Sequence, residues 1–257
     1  FDDKAYLSQN GQLYLEALIF SFGKVYDLAP CFRAEKSKTR KHLTEFWALN
    51  PEMAFVEHEE SLKIQEEMIK HCFKYVLENA QEELIALKRD PSELRAVIDS
   101  AFVHYTYDEA IKELQKRGSN IKYGDDLGAD DEVLLTENSL APVIVKNWPK
   151  GIKPFYMKRH PDNPALVLNA DVLAGKGYGE IIGGSQREDD YDILLARMKE
   201  QNLPLENFQW YLDLRKYGSV PHSGFGIGIE RMTRWIAGIH HVRETIPFPR
   251  MINRIYP

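Results

Sequence analysis

Residues 31–55 read CFRAEKSKTRKHLTEFWALNPEMAF, and this stretch predicts a β-hairpin. Strand-forming residues at 24–32 and 45–55 flank it, so residues 33–44 are predicted to be the loop of a hairpin. The basic side chains of this loop are Lys36, Lys38, Arg40, Lys41 and His42. Arginines at a hairpin base can clamp a polyphosphate, because the planar guanidinium matches the oxygens of a phosphate. For the basic run alone, a charged loop that only faces water is the alternative.

A second stretch, GFGIGIER at residues 224–231, has alternating glycines that are typical of nucleotide-binding segments. It is not a Rossmann fingerprint, which requires a third glycine where Ile229 stands and a β-α-β unit around it. It is not a P-loop either, because no Lys-Ser or Lys-Thr pair follows the glycines. What remains is a strand on which Gly226 and Gly228 let a flat ligand approach the backbone, followed by a helix from Glu230. Glycines that only permit close packing of strands are the alternative.

The third stretch, NADVLAGKGYGEIIGGSQRE at residues 169–188, holds three acidic residues, Asp171, Glu180 and Glu188, and one arginine. Beside a bound polyphosphate, Glu180 and then Asp171 are the best candidates for magnesium ligands, because Mg²⁺ prefers oxygen. A surface acid is the alternative for Asp171. Arg187 is predicted to project into the same site, over a strand surface that the preceding glycines and Ser185 keep open.

The rest of the chain predicts an α+β fold. A helix is predicted at 12–22, a long amphipathic helix at 57–87, and a further helix after the second glycine stretch. Short strands are predicted at 143–145, 154–157, 166–168 and 178–182. Because the strands come as hairpins rather than in β-α-β units, we expect an antiparallel β-sheet flanked by helices.

Composition narrows the class of protein. The 257 residues are 44% hydrophobic, which is enough for one large domain. Neither a membrane span nor a signal peptide is found, and Cys31 and Cys72 have neither disulfide nor metal spacing, so a cytoplasmic protein is expected. The net charge of −6 argues against non-specific coating of nucleic acid, although a local basic patch could still bind phosphates. Because the chain begins at Phe1 rather than methionine, we expect an N-terminal portion to precede it.

The order FRAE, basic loop, HLTEFW and an acid before MAF resembles motif 2 of the class II aminoacyl-tRNA synthetases, at 31–55. Residues 224–236 resemble motif 3 of that family. The resemblance covers nearly the whole chain and implies a catalytic domain with the class II synthetase fold over 1–257. It implies that Arg33 contacts the α-phosphate and the amino-acid carboxylate, that Phe46 stacks under the adenine, and that Arg231 packs over the adenine and reaches the γ-phosphate, so that Arg33 and Arg231 carry catalysis. Further implied ATP contacts are Glu35, Arg40, His42, Glu180, Gly226 and Gly228, with Arg40 and His42 reaching the outer phosphates or the tRNA end.

Within that family, GYGEIIGGSQRE and YLDLRKYGSVPHSGFGIGIER resemble the asparagine-specific members of the aspartate, asparagine and lysine subclass. Aspartate-specific members carry a lysine that neutralises the substrate carboxylate where this chain has Leu15. Arg187 would then donate alone to a side-chain oxygen, while a glutamate, Glu45 or Glu35, would accept from the substrate NH2. The other implied asparagine contacts are Gln12, for the α-ammonium group, and Ser185.

The implied activity is activation of asparagine by ATP and Mg²⁺ to asparaginyl-adenylate, and its transfer to tRNA(Asn) by a homodimer that has no membrane attachment. Motif 1 and the anticodon-binding β-barrel of the family are not recognised in the 257 residues. Two other functions stay open: an enzyme of the same fold that makes free asparagine from aspartate and ammonia, and an inactive paralogue that serves as a regulator.

Overall fold

The structure is a computed structural model that describes residue 2 and residues 4–37 and 39–256. Lys38 of the basic loop lies outside these residues. Within them, seven strands form one sheet in the order β1-β2-β7-β6-β5-β4-β3. The strands are β1 Lys24–Phe32, β2 Glu45–Ala54, β3 Val103–Thr106, β4 Val143–Lys146, β5 Asn169–Ala174, β6 Gly179–Gln186 and β7 His222–Gly228.

Helices precede, connect and follow the strands. The described α-helices are α1 Gln12–Phe22, α2 His58–Asn79, α3 Gln81–Ala86, α4 Pro91–Asp99, α5 Tyr107–Lys116, α6 Ala129–Thr136, α7 Tyr191–Glu200, α8 Gln209–Lys216 and α9 Ile229–Ala237. None of the helices in this part of the chain is long and apolar enough to cross a membrane.

The predicted hairpin is confirmed, and its neighbours explain why distant motifs meet. Strands β1 and β2 pair antiparallel along their whole length, with Cys31 opposite Phe46. Strand β7 pairs antiparallel with β2 on one side and with β6 on the other. Glu52 of β2 therefore lies opposite Gly224 of β7, and Gly224 lies opposite Ser185 of β6. The three sequence stretches form adjacent strands of one surface.

The α+β class is confirmed, with one departure from antiparallel pairing. Strands β3 and β4, at the far edge of the sheet, run parallel. Helices α5 and α6 lie between them in the chain, and a crossover of this kind is what a parallel pair requires. The sheet is therefore mixed.

Several predicted elements differ from the observed ones. The helix predicted at 57–87 is two helices, because Ala80 leaves helical geometry with a φ of −128°. The strands predicted at 154–157 and 166–168 are only isolated bridges. The strand of that region is β5, which is buried along its whole length. Apolar runs of three or four residues do not identify a strand by periodicity, which explains these errors.

The main core lies between the sheet and helices α2, α4 and α9. Phe73 of α2 packs edge-on against Trp235 of α9, with ring centroids 4.4 Å apart. Ile182 and Phe225 face this core from β6 and β7. Because side chains alternate along a strand, the residues on either side of Phe225 face away from these helices. That opposite face is the floor of a cavity.

Candidate active site

A cavity of about 490 Å³ opens on this face of the sheet, and the three sequence stretches meet in it. Most of the predicted site residues line it. They are Gln12, Arg33, Glu35, His42, Phe46, Asp171, Glu180, Arg187, Gly226, Gly228 and Arg231.

Glu45, a predicted site residue, does not line the cavity in the described part of the chain. Its side chain forms an ion pair with Arg250, and it is not among the described residues that line the cavity. Successive residues of a strand point to opposite faces, so Glu45 cannot share the face of Phe46. The same alternation places Ala48, Asn50 and Glu52 on the face of Phe46.

Arg40 and Ser185 are also outside the described lining of the cavity. Arg40 is exposed, and its backbone carbonyl accepts a hydrogen bond from the N–H of Val242. Ser185 is buried, and its hydroxyl accepts from Nη1 of Arg187 at 2.6 Å. Ser185 therefore acts on the site through Arg187. Leu15 is buried too and is absent from the part of the lining that the structure describes.

A buried ion pair between Arg187 and Glu52 adjoins the cavity: Arg187 lines it, and Glu52 is fully buried and is not among its described lining residues. Nε of Arg187 donates to Oε1 of Glu52 at 3.0 Å, and Nη2 donates to Oε2 at 2.8 Å. Burial disfavours the charged guanidinium, but the Glu52 carboxylate outweighs it and raises the pKa of Arg187. Nε2 of Gln12 donates to the same carboxylate at 3.3 Å. Bidentate geometry in a desolvated site fixes both side chains.

Gly224 makes room for this pair. A Cβ on Gly224 would lie 1.8 Å from Oε2 of Glu52 and 2.7 Å from Nη2 of Arg187. A Cβ on Gly226 would lie 2.8 Å from Oδ1 of Asn50. Around Gly228 the nearest described atoms belong to the side chain of Arg231, at 3.6 Å or more. The first two glycines thus accommodate side chains of the neighbouring strand, and Gly228 leaves space open.

A network of buried charges supports Arg187 from behind. Glu16 of α1 accepts from the hydroxyl of Tyr211 at 2.6 Å and from Nη2 of Arg215 at 2.5 Å. His222 lies between Glu16, at 2.9 Å, and the carbonyl of Val220, at 2.7 Å. Burial acts against ionisation of Glu16, but the charge of Arg215, the hydrogen bond and charge of His222 and the charge of Arg187 together outweigh it and lower the pKa to about 2. His222 is fully buried, as expected of a histidine that fixes the loop before β7.

The opposite end of the cavity holds the aromatic and basic residues predicted for a nucleotide. The guanidinium of Arg33 lies over the ring of Phe46, 5.1 Å from its centroid. Arg231, in the first turn of α9, donates from Nε to the carbonyl of Lys41 at 3.2 Å. Glu230, its neighbour, accepts from the backbone N–H of Trp47 at 3.0 Å and ties α9 to β2. An aromatic face and two guanidinium groups therefore border one space.

His42 does not supply a positive charge at neutral pH. Burial, together with the nearby charges of Arg231 and Lys41, lowers its pKa to about 4. The imidazole is therefore neutral and available for hydrogen bonding only, with Ser37 already 2.9 Å from its Nδ1. Its neighbour Lys41 is positively charged and forms an ion pair with Glu132 of α6.

Asp171 and Glu180 converge over Gly183, as a metal site would require. A Cβ on Gly183 would lie 3.2 Å from Oε1 of Glu180 and 3.7 Å from Oδ1 of Asp171. Burial and the Glu180 charge raise the pKa of Asp171 to about 6, although Lys153 opposes them. Two carboxylate oxygens over a residue without a side chain fit Mg²⁺, which binds one or two carboxylates and otherwise keeps water or phosphate oxygens.

Three residues at the cavity or directly beside it had no role in the prediction from sequence. The alternation of side chains along β2 predicts the position of Glu52, because Glu52 is an even number of residues from Phe46 and therefore points to the same face of the strand. Lys153 and Glu132 come from the segment between β4 and β5 and from α6, where the sequence carries no recognisable motif. The folded chain alone brings them to the site.

The chain belongs to the class II tRNA synthetases of the D, K and N group, whose family model matches residues 1–252. It is 54% identical over 257 residues to the asparagine--tRNA ligase of Lactobacillus johnsonii, covering all of this chain and 60% of that relative. The structure of asparaginyl-tRNA synthetase from Pyrococcus horikoshii complexed with asparaginyl-adenylate is similar with a TM-score of 0.96 and 50% identity, over 100% of this chain and 59% of the other. The aspartyl tRNA synthetase of Entamoeba histolytica is similar with a TM-score of 0.89 and 36% identity, over 98% and 53% of the two chains. The chain thus spans about 60% of the length of the curated relatives that it matches.

Proposed function

We propose that this chain is the catalytic domain, over residues 1–257, of a cytoplasmic enzyme that activates asparagine with ATP and transfers it to tRNA(Asn). The observation that carries the proposal is the buried pair between Arg187, which lines the cavity, and Glu52. Similarity to asparagine--tRNA ligases supports the same substrate.

The pair suits a carboxamide because it offers one donor and one acceptor without net charge. Arg187 can donate a remaining N–H to the carbonyl oxygen, and Glu52 can accept from the NH2 group with a free lone pair. An aspartate side chain would place a second carboxylate against Glu52 in a desolvated site, which is costly. Sites built on such hydrogen bonds can reject a mismatched analogue by roughly 10⁴-fold.

In the proposed reaction the asparagine carboxylate attacks the α-phosphate of ATP, and pyrophosphate leaves. The nucleophile is already ionised, so the protein supplies positioning and charge stabilisation rather than a general base. Gln12 and the Arg187–Glu52 pair hold the amino acid. Arg33 and Arg231 bind the phosphates, and the ring of Phe46 stacks under the adenine. Mg²⁺ on Asp171 and Glu180 would neutralise charge on the polyphosphate.

The test is asparagine-dependent pyrophosphate exchange by the Arg187→Leu variant. Removing one partner of a buried ion pair costs about 3–5 kcal/mol, so exchange should fall by roughly 10²- to 10⁴-fold. Arg187→Lys should also lose most activity, because an amine cannot bind Glu52 through two parallel bonds. Arg95→Leu, on the exposed surface of α4, is the matched control and should behave as wild type.

Exchange at a near wild-type rate in Arg187→Leu would contradict the assignment. Comparing asparagine, aspartate and lysine with the wild-type protein tests the specificity directly, and we expect exchange with asparagine alone. Measuring ammonia-dependent formation of asparagine in the same preparation tests the alternative enzyme, and none is expected.

We also propose that the enzyme is a homodimer. The outer face of the β1–β2 hairpin exposes the apolar side chains Tyr26, Leu28 and Trp47. Exposed apolar surface that is shared by neighbouring strands is typical of a protein interface. A second copy of the chain is the proposed occupant.

A further inference from the structure

We propose that Lys153 is a built-in counterion of the metal ligands, which competes with a divalent cation for Asp171 so that the metal enters together with ATP. The inference rests on the proposed function, in which Asp171 and Glu180 hold Mg²⁺ beside the polyphosphate. It assigns a role to a residue that belongs to none of the three sequence motifs.

The position of Lys153 is fixed from two sides. Its ammonium nitrogen lies 2.5 Å from Oδ2 of Asp171 and 3.7 Å from the centroid of the Trp148 ring. Trp148 is itself immobilised, because it is buried and its indole N–H donates to the carbonyl of Val145 at 2.9 Å. A cation that rests on an aromatic face and faces a carboxylate is held in place by both.

The carboxylate oxygens divide into two that are taken and two that face Gly183. Oδ2 of Asp171 accepts from Lys153, and Oε2 of Glu180 accepts from Arg231 at 3.2 Å. Oδ1 of Asp171 and Oε1 of Glu180 flank the position of a Cβ on Gly183. The geometry for a cation is therefore present, while each carboxylate already has a positive partner.

Charge decides whether a bare cation can bind there. The carboxylates of Asp171 and Glu180 are balanced by Lys153 and Arg231. The adjacent Glu132 is balanced by Lys41, and Asp126 is exposed, where water screens its charge. A divalent cation alone thus meets no surplus of negative charge. The phosphates of ATP supply that surplus, so metal and nucleotide should bind together.

A purely structural ion pair would behave differently. Loss of Lys153 would then lower the stability of the fold and leave the affinity for metal unchanged. A counterion that competes for Asp171 predicts the opposite sign, because its removal frees Oδ2 of Asp171 for the metal and takes away a positive charge that repels the metal. Binding of metal by the protein without nucleotide separates the two roles.

The experiment is a titration of the full-length protein with Mn²⁺ in the absence of ATP and asparagine, with free Mn²⁺ followed by electron paramagnetic resonance. Lys153→Met should bind Mn²⁺ more tightly than wild type by about tenfold or more, since an unscreened charge at close range has an effect of that order. Lys158→Met is the matched control. Its ammonium pairs with Asp189, it is not among the described lining residues, and it should titrate as wild type.

The double variant Lys153→Met with Asp171→Asn should return to weak binding, because the gain requires the released carboxylate. Lys153→Gln decides the question if the methionine variant does not fold. Affinity in Lys153→Met and Lys153→Gln no higher than in wild type would overturn the proposal. Since neither substrate is present, this outcome is independent of pyrophosphate exchange, which tests the proposed function separately.

Discussion

At the residue scale, the proposed specificity depends on which side chains share one face of β2. Phe46, Asn50 and Glu52 alternate toward the cavity, whereas Glu45 points away and pairs with Arg250. The acceptor for a substrate amide is therefore Glu52 in our proposal, rather than the residue that is nearest to the aromatic ring in sequence. The face of the strand to which a side chain points, rather than its distance from Phe46 along the chain, determines which glutamate is available.

Gly224→Ala tests the space that this pair requires. The new methyl group would overlap Oε2 of Glu52, so the pair must shift and asparagine-dependent exchange should fall by about tenfold or more. The KM for ATP should change little, because our proposal places the nucleotide beside Phe46 and Arg231, at the other end of the cavity. Gly151→Ala, whose Cβ would meet no described atom within 4 Å, is the control. Equal activity of the two alanine variants would show that the pair has no positional role.

At the element scale, a single buried carboxylate joins helix α1 to helix α8 and strand β7. Glu16 of α1 binds Tyr211 and Arg215 of α8 and His222 of β7. Its charge also lies 4.0 Å from Arg187. The stability of this junction should depend on pH, because the carboxylate must be ionised to hold three partners.

The pKa of Glu16 is lowered from 4.5 to about 2 in the folded state. The stabilisation is therefore complete above about pH 4.5 and is lost as the pH falls toward 2, since the unfolded state binds the proton first. It amounts to roughly 3 kcal/mol. Urea unfolding of Glu16→Gln between pH 2 and pH 7 should show a lower free energy of unfolding than wild type at pH 7. Its free energy of unfolding should also fall less than that of wild type as the pH decreases.

Glu82→Gln, on the exposed surface of α3, controls for the loss of one carboxylate and should keep the wild-type slope. If the free energy of unfolding of Glu16→Gln falls with decreasing pH as steeply as that of wild type, groups other than Glu16 cause the loss of stability in acid.

At the scale of the whole molecule, the sheet has one face covered by helices and a hairpin edge that exposes apolar side chains. Leu28 is 53% exposed and Trp47 is 46% exposed. The register of β1 and β2 sets Leu28 opposite Leu49 and Pro30 opposite Trp47, so these side chains share one surface.

Replacing Leu28 and Trp47 with lysine should therefore convert a dimer to a monomer, because burial of apolar area drives such association and buried lysines oppose it. Sedimentation velocity of the full-length protein measures the change. The control variant replaces Tyr75 and Ile85, which are exposed on α2 and α3, and should remain dimeric. A dimer that persists in the Leu28 and Trp47 variant would place the interface elsewhere.

The sequence by itself determined the hairpin, the glycine strand and helix α9, because local periodicity, turn residues and spaced arginines encode them directly. Most of the side chains that it indicated, from Arg33 to Arg231, line the cavity. The pairing of Glu52 with Arg187 is seen only in the tertiary structure. So is the presence at the site of Lys153, from the segment between β4 and β5, and of Glu132, from α6. Those contacts join residues far apart in the chain, so they depend on strand order and burial, which no local pattern specifies.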